Sequence, residues 1–262
     1  MKSEDYVQGD AFQAEKRTIF STEWLPLCAE AQVATPGDFL SATVGGWSVV
    51  AVRDKAGEVR VLRNACRHQN MPVVATPSGN CESFRCRFHG WTYDLAGRFV
   101  GAPPPVAPAG PTADLGLPSL ATTREAGLLF FSMGTPAEAP RLGTLPVYGG
   151  TLSTDIACNW KVVGEHLLGE RREASADFSW HWPLLALRRA GALAIVEQIV
   201  PQTFLRTRLL THVFGGAADE HHQAARTIRH VCERLQADRA QGLMPEEGGS
   251  LLAEFHRRLG SH

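Results

Sequence analysis

Two short stretches of this chain, NACRHQNMPV at residues 64–73 and CRFHGWTYDLAGRFVGAP at residues 86–103, each combine a cysteine with a histidine. Seventeen residues separate the histidine of the first stretch from the cysteine of the second. Thiolate and imidazole are side chains that proteins use to bind zinc and iron. The pattern therefore predicts one metal centre held by two loops, with four candidate ligands: Cys66, His68, Cys86 and His89.

Two kinds of metal centre use this set of ligands. A structural zinc site of the Cys₂His₂ type is one, but zinc fingers place their two cysteines close together and their two histidines close together. In this chain each loop supplies one residue of each type. That mixed order favours a [2Fe–2S] cluster of the Rieske arrangement, in which the cysteines bind one iron and the histidines the other.

The residues around the two stretches carry a family resemblance. The run His89-Gly90-Trp91-x-Tyr93 is followed by an aspartate, a glycine and an apolar pair, and residues 21–64 precede the first stretch. Together they resemble the N-terminal domain of the large (alpha) subunits of Rieske non-haem iron oxygenases, the ring-hydroxylating oxygenase family. The resemblance implies a Rieske cluster on Cys66, His68, Cys86 and His89. It leaves Cys81 as a spare thiol, because Met71 stands where the respiratory type of Rieske protein has a bridging cysteine.

Composition and charge narrow the class of protein. The chain has 262 residues, of which 44% are hydrophobic and 20% charged, and its formal net charge is −1. These values are typical of a globular protein and give no sign of a nucleic-acid or anionic-membrane partner. The apolar runs are shorter than the ~20 residues that cross a bilayer. The first residues are polar and acidic, so we expect a cytoplasmic protein with reduced cysteines.

Hydrophobic periodicity predicts an α+β fold in two parts. Residues 1–150 are expected to form a β-rich Rieske domain with an N-terminal extension, including a hairpin over 37–63 and short strands near 86–93, 97–100 and 128–132. Residues 151–262 are expected to form a second domain, and the resemblance implies a shortened catalytic-type domain of helix-grip type. Its predicted elements are a helix over 160–172 with Asn159 as N-cap, strands over 194–200 and 205–214 joined at Pro201-Gln202, and helices over 224–241 and 250–259.

The stretch NWKVVGEHLLGE at residues 159–170 resembles the helix that opens the catalytic domain of this family. The resemblance implies a mononuclear Fe(II) bound by two histidines that follow this helix and by a later carboxylate. Glu173 stands at the position of the first histidine, and Asp177 or Phe178 at that of the second. Near residues 227–229, where the third ligand is expected, the closest acid is Glu233, and only about seven residues replace the segment that builds the substrate pocket. We therefore expect the mononuclear iron to be absent.

A carboxylate-rich iron site is the alternative for the same stretch. His166, Glu170 and Glu173 are spaced to share one face of a helix, and His181 follows close enough to swing toward them. Asp177 is a further carboxylate in this segment. Against this site, Arg171 and Arg172 interleave with the acids, which is typical of a solvated, salt-bridged face.

The expected function follows from two expectations: the chain has a Rieske cluster that can donate electrons, and it lacks the mononuclear iron that would accept them. The resemblance implies a ring of subunits, a trimer or hexamer, in which Glu170 receives the outward cluster histidine of a neighbour, equivalent to His89. We expect a subunit that passes electrons from an NAD(P)H-dependent reductase or a ferredoxin to the mononuclear iron of a homologous oxygenase subunit. Three alternatives remain: a complete mono- or dioxygenase that hydroxylates or demethylates a small organic substrate, a plain electron carrier, and a decayed paralogue. The substrate is not predictable from the sequence.

Overall fold

The computed structural model describes residues 1–136, 138–169, 177–245 and 249–260. In these ranges the chain has an α+β architecture of antiparallel sheets with helices at both ends. The helices are α1 Glu4–Val7, α2 Gly9–Thr18, α3 Trp160–Gly169, α4 His222–Ala240 and α5 Ser250–Gly260. The strands are β1 Leu25–Ala29, β2 Asp38–Val44, β3 Trp47–Arg53, β4 Val59–Arg63, β5 Ser78–Asn80, β6 Phe84–Arg85, β7 Thr92–Tyr93, β8 Phe99–Gly101, β9 Ala121–Glu125, β10 Leu128–Ser132, β11 Tyr148–Ile156, β12 Phe178–His181, β13 Leu185–Ala190, β14 Leu193–Thr203 and β15 Arg206–Phe214.

Two small sheets build the cluster-bearing part of the chain. One is four-stranded in the order β4-β3-β2-β5, and the other is three-stranded in the order β6-β7-β8. Their apolar faces share a core that includes Phe39, Val50, Leu62 and Tyr93. The predicted hairpin over 37–63 is present as β2, β3 and β4. The strand expected at 86–93 is largely a loop between β6 and β7, because the second Cys/His stretch occupies it.

A third sheet, in the order β1-β10-β9, lies against the C-terminal sheet. Strands β1 and β10 are buried along their full length, as expected for strands covered on both faces. The Gln198 side chain on β14 donates hydrogen bonds to the carbonyl oxygens of Pro26 (2.9 Å) and Leu27 (3.2 Å) on β1. This contact attaches the first half of the chain to the second.

The C-terminal part is a five-stranded antiparallel sheet in the order β11-β15-β14-β13-β12. The turn between β14 and β15 lies at Phe204-Leu205, three residues beyond the predicted Pro201-Gln202. Pro201 is paired with Thr207 inside the ladder, next to a register shift between Pro201 and Thr203. An irregularity of this kind accommodates a proline that cannot donate a ladder hydrogen bond, which explains why the turn prediction failed.

Helices α3, α4 and α5 cover one face of this sheet, together with α1 and α2 from the N-terminus. The predicted N-cap of α3 is confirmed, because the Asn159 side-chain oxygen accepts from the Lys161 amide at 3.0 Å. The two N-terminal helices were not predicted. They are held by buried contacts that a polar sequence does not reveal: the Tyr6 hydroxyl donates to Glu165, and the Trp160 indole donates to Glu15 at 2.7 Å.

Candidate metal centre

The two Cys/His loops have the same backbone geometry. In the first loop the Cys66 amide donates to Met71 O (2.8 Å), and the Asn70 amide donates to Cys66 O (2.7 Å). In the second loop Cys86 stands in the same relation to Trp91 (2.8 Å) and Gly90 (2.9 Å). Asn70 and Gly90, four residues after each cysteine, both have positive φ, at 57° and 71°. Each loop therefore closes in one tight turn that presents a cysteine and a histidine on the same side.

The two loops bring all four candidate ligands together at one end of the domain. The imidazole rings of His68 and His89 lie 4.7 Å apart, at 86° to each other. Both cysteines are buried, at 1% and 2% exposure. The His68 ring stacks on Trp91, with a centroid distance of 5.2 Å and an angle of 8°. Such stacking restrains the imidazole in one orientation.

One buried nitrogen at this site has no protein partner. Nδ1 of His68 is inaccessible to solvent and accepts or donates no hydrogen bond within the part of the chain that the structure describes. Buried polar atoms are normally satisfied, so an orphaned imidazole nitrogen beside a second imidazole and two buried thiols needs a further partner. A metal ion is the partner that this donor set provides for. The four side chains thus fit the iron–sulfur centre that their spacing predicts.

Tyr93 adds a residue that the sequence did not single out as functional. Its hydroxyl lies 3.2 Å from Cys66 Sγ and accepts a hydrogen bond from the Arg67 amide at 3.0 Å. Since the hydroxyl oxygen already accepts from Arg67, its own hydrogen is available to donate to the sulfur. Burial raises the pKa of Tyr93, so the phenol stays protonated as a donor. The signal available in the sequence was the place of Tyr93 in the run His89-Gly90-Trp91-x-Tyr93.

Within the described residues, the two loops included, no three His, Cys, Asp or Glu side chains converge as ligands of a single metal ion. This agrees with a binuclear cluster, because each iron there takes only two protein ligands. It also bears on the mononuclear site that the resemblance implies. Glu170 and Glu173, which the sequence places there, lie outside the described residues.

The described residues after that gap belong to the sheet. Asp177 is exposed, and its carbonyl oxygen accepts from the Arg189 amide at 2.8 Å. Phe178 is 2% exposed and packs in the main hydrophobic core. At one of the two positions where the resemblance places the second histidine, the chain therefore has a buried aromatic ring.

His181 lies on the face of the sheet opposite α3. Successive residues of a strand point to opposite faces, and Trp180 packs on Phe255 of α5 with centroids 5.6 Å apart. We call this side, marked by Phe178, Trp180 and Ala186, the helix-side face. The His181 imidazole points the other way, and its Nε2 lies 2.9 Å from Ser179 Oγ. Burial lowers the pKa of His181. A swing of His181 toward α3 would require it to pass through the strand.

The remaining acids near α3 are engaged elsewhere. Glu233 accepts from the Ala157 amide at 3.2 Å, before the start of α3. Glu165 is buried, and its carboxylate accepts from Tyr6, His256 Nε2 (2.8 Å) and Arg239 (3.3 Å). His166, on the same helix, is half-buried.

Two cysteines that the sequence separates by more than seventy residues are neighbours in the core. Cys158 and Cys232 are both fully buried, and a hydrogen bond that the Cys158 thiol donates to Cys232 raises the pKa of Cys158, as does burial. The Gln236 side chain accepts from the Asn159 amide at 2.8 Å and so holds α4 along the start of α3. From the sequence, each of these cysteines is expected to be an isolated core residue.

Comparison with known proteins agrees with the geometry of the two loops. Residues 23–121 match the family model of the Rieske [2Fe-2S] domain. Benzene 1,2-dioxygenase subunit alpha of Pseudomonas putida is 39% identical over 98 residues, which are 37% of this chain and 22% of that protein. The large subunit of 2-halobenzoate 1,2-dioxygenase of Burkholderia cepacia is 38% identical over 89 residues, 34% of this chain and 19% of the relative. The matched segment thus spans about a fifth of the length of these relatives.

Solved structures match the chain over nearly its whole length. The quaternary ammonium Rieske monooxygenase CntA, in complex with gamma-butyrobetaine, has a TM-score of 0.79 at 17% identity and covers 100% of this chain and 95% of that one. Naphthalene 1,2-dioxygenase from Rhodococcus sp. has a TM-score of 0.67 at 15% identity, with 98% and 93% covered. These likenesses establish the fold. Among the described helices, none is long and apolar enough to cross a membrane.

Proposed function

Because residues 23–121 match the Rieske [2Fe–2S] domain and the 262-residue chain has the fold of solved Rieske oxygenases, we propose that it is the electron-donating subunit of an oxygenase system. In this proposal it receives electrons from a reductase or ferredoxin and delivers them to the mononuclear iron of a partner oxygenase subunit. The chain itself does not house that iron. The observation that carries the proposal is Phe178, buried in the core at a position where the resemblance places a histidine ligand.

The electron donor in this proposal is a cluster with four protein ligands. Cys66 and Cys86 would bind one iron, and His68 and His89 the other. The orphaned and inaccessible Nδ1 of half-buried His68 and the two buried thiols support this assignment. When bound, a cluster of this type supplies one-electron transfer at a potential raised by its imidazole ligands. The chain's own contribution is to hold the ligands in place, through the Trp91 stack on His68 and the Tyr93 hydroxyl beside Cys66.

The lack of an acceptor in this chain is supported by the described residues around α3. Phe178 and Trp180 fill the helix-side face, where Trp180 packs on Phe255. His181 points to the opposite face, and Glu233 bonds to the backbone before α3 begins. An iron site here would need two or more imidazole or carboxylate ligands converging on one point.

A subunit that donates electrons from its cluster but binds no mononuclear iron to accept them requires a partner subunit. We propose a hetero-oligomer, a trimer or hexamer, that contains a homologous subunit with an intact iron site. His89 is half-buried on the second loop and is the histidine that would face the partner. Glu170 is the acid proposed to receive the neighbouring subunit's equivalent histidine, since a carboxylate can accept a hydrogen bond from a cluster imidazole and fix its orientation.

Nitric oxide binding tests the proposal, because this ligand adds to a mononuclear Fe(II) that has open coordination positions and gives a distinct high-spin EPR signal. The anaerobic, dithionite-reduced chain is expected to show only the Rieske signal, before and after nitric oxide is added. A characterised Rieske monooxygenase, measured in parallel, serves as the positive control. A high-spin iron–nitrosyl signal that approaches one spin per chain would reject the proposal.

A complete oxygenase is the second candidate, and the whole-chain likeness to a Rieske monooxygenase favours it. Its iron would have to use Glu170, Glu173 or Asp177 in place of histidines. This candidate predicts that the purified chain, supplied with O₂ and a reductase, converts a small organic substrate without a partner. It also predicts that Glu173→Ala abolishes this turnover while the cluster absorbance is unchanged.

A further inference from the structure

Three side chains that can only donate hydrogen bonds meet beside the turn between β2 and β3. Nζ of Lys16, on α2, lies 4.3 Å from the centroid of the Trp47 ring at the start of β3. Cζ of Arg63, at the end of β4, lies 4.8 Å from the centroid of the same ring. All three side chains are partly buried, and none of them contains an acceptor. We call Lys16, Trp47 and Arg63 the cationic site.

The two positive charges of the cationic site have no counter-charge. Neither Lys16 nor Arg63 forms a salt bridge with any residue that the structure describes. Glu15 precedes Lys16 in the sequence, but its carboxylate pairs with the buried Lys161 instead. Burial and the nearby Arg63 charge lower the pKa of Lys16, because both disfavour the charged ammonium. An anion bound at this site would relieve that cost.

One edge of the Arg63 guanidinium is available to a ligand. Its Nη1 donates to the Ser48 carbonyl oxygen at 2.8 Å, whereas Nε and Nη2 have no hydrogen-bond partner among the residues that the structure describes. These two nitrogens form the edge whose N–H bonds run parallel, and such an edge binds two oxygens of one carboxylate or phosphate. The bond to Ser48 and the contact with the Trp47 ring restrain the orientation of the free edge.

The turn between β2 and β3 allows Lys16 to lie close to the backbone. Gly45 and Gly46 both have positive φ, at 56° and 76°, as in the two-residue turn of a tight hairpin. A Cβ on Gly46 would lie 3.1 Å from Cδ and 3.4 Å from Nζ of Lys16, so only glycine leaves room for this approach. The Gly45 amide donates to the Pro201 carbonyl oxygen at 2.9 Å and attaches the turn to the C-terminal sheet.

We propose that the cationic site binds a phosphate dianion, either free or as the end group of a small phosphomonoester. The free edge of Arg63 binds two of the phosphate oxygens, and the Lys16 ammonium binds a third. Two cations without an acid match the two negative charges of this ligand, and a tetrahedral anion presents oxygens to both of them. The bound anion connects α2 to the sheet of β2, β3 and β4. This site is separate from the four cluster ligands and goes beyond the proposed function.

Calorimetric titration of the holoprotein at constant ionic strength tests this assignment. The probes are inorganic phosphate, phenyl phosphate and acetate, with sodium chloride replacing them in the reference, at a pH where phosphate is a dianion. Inorganic phosphate is expected to bind saturably, with one anion per chain, and acetate at least about tenfold more weakly because it carries half the charge. Equal affinities of the two phosphates would identify the free anion as sufficient, and tighter binding of phenyl phosphate would identify a phosphomonoester.

Three single variants locate the anion. Arg63→Lys keeps the charge but removes the parallel N–H edge, and is expected to weaken phosphate binding more than about tenfold. Lys16→Gln removes one charge and is expected to weaken it by about tenfold. Lys55→Gln, an exposed lysine in the turn between β3 and β4, is the control and is expected to leave the affinity unchanged. Visible circular dichroism of the cluster verifies that each variant is folded.

The absence of saturable phosphate binding by the wild-type chain would overturn this inference. Equal phosphate affinity in wild type, Arg63→Lys and Lys16→Gln would overturn it as well, because the anion would then bind elsewhere. Acetate binding as tight as phosphate binding would reject a site for a dianion. None of these results bears on the proposed function, which depends on the nitric oxide and iron measurements.

Discussion

The two regions of this molecule that could bind iron differ in how completely the chain builds them. At the cluster loops, two turns of the same geometry bring two thiols and two imidazoles together, and Nδ1 of His68 is left for a metal. At the end of α3, the described residues place Phe178 in the core and His181 on the far face of the sheet. The comparison teaches that matching backbone turns bring candidate ligands together at the cluster loops, whereas after α3 a buried aromatic ring stands at a position where the resemblance places a histidine.

The largest expected effect is loss of the cluster. In Cys66→Ser the second iron–thiolate bond cannot form, so we expect the purified variant to contain almost no iron and no acid-labile sulfide. Cys81→Ser removes a half-exposed thiol outside the four-ligand set and is expected to retain the wild-type content. Iron and sulfide assays on both variants make the measurement. Iron retention in Cys66→Ser would refute the ligand assignment.

Truncation of Phe178 tests whether the region after α3 is a packed part of the core. If this ring is a core residue, Phe178→Ala leaves a cavity and lowers the free energy of unfolding by about 3–5 kcal/mol, without any change in iron content. Phe178→Leu, which keeps most of the volume, should cost roughly 1 kcal/mol. Urea unfolding followed by tryptophan fluorescence gives both values. A variant as stable as wild type would show that the side chain does not support the core.

Unfolding at low pH tests whether the cluster-bearing part of the chain and the C-terminal sheet are stabilised together. His212 is fully buried between Gln198 and Thr151, and burial lowers its pKa to about 4. The unfolded chain takes up this proton near pH 6.5 and the folded chain only near pH 4, so stability falls as the pH drops through that window. The full effect is roughly 3 kcal/mol.

His212→Gln removes this titration, so its unfolding free energy should depend less on pH than that of the wild type between pH 6.5 and pH 4. Gln198 also binds the carbonyls of β1, so the cluster signal of the wild type should be lost together with its C-terminal sheet as the pH falls. Parallel pH profiles for the two proteins would contradict this role of His212.

The smallest predicted effect concerns the tuning of the cluster. Tyr93→Phe removes the hydroxyl beside Cys66 Sγ, and loss of a donor to a thiolate disfavours the reduced state. The reduction potential should fall by an amount on the order of tens of millivolts, equivalent to about 1 kcal/mol. Spectroelectrochemistry of the variant makes the measurement. An unchanged potential would mean that the hydroxyl does not donate to the sulfur.

The parts of the structure that could be predicted are those that depend on residues close together in the sequence. The four candidate ligands lie in two short stretches whose spacing alone predicts a shared centre, and α3 begins at a capping asparagine as its sequence predicts. The N-terminal helices and the Cys158–Cys232 contact depend on residues far apart in the chain, which no local pattern encodes.

An iron and acid-labile sulfide count on the purified chain tests the central claim most directly. A Rieske cluster without a mononuclear site predicts about two irons and about two sulfides per chain. About three irons with two sulfides would contradict the account, because the third iron would have to lie in a site that this chain is proposed to lack.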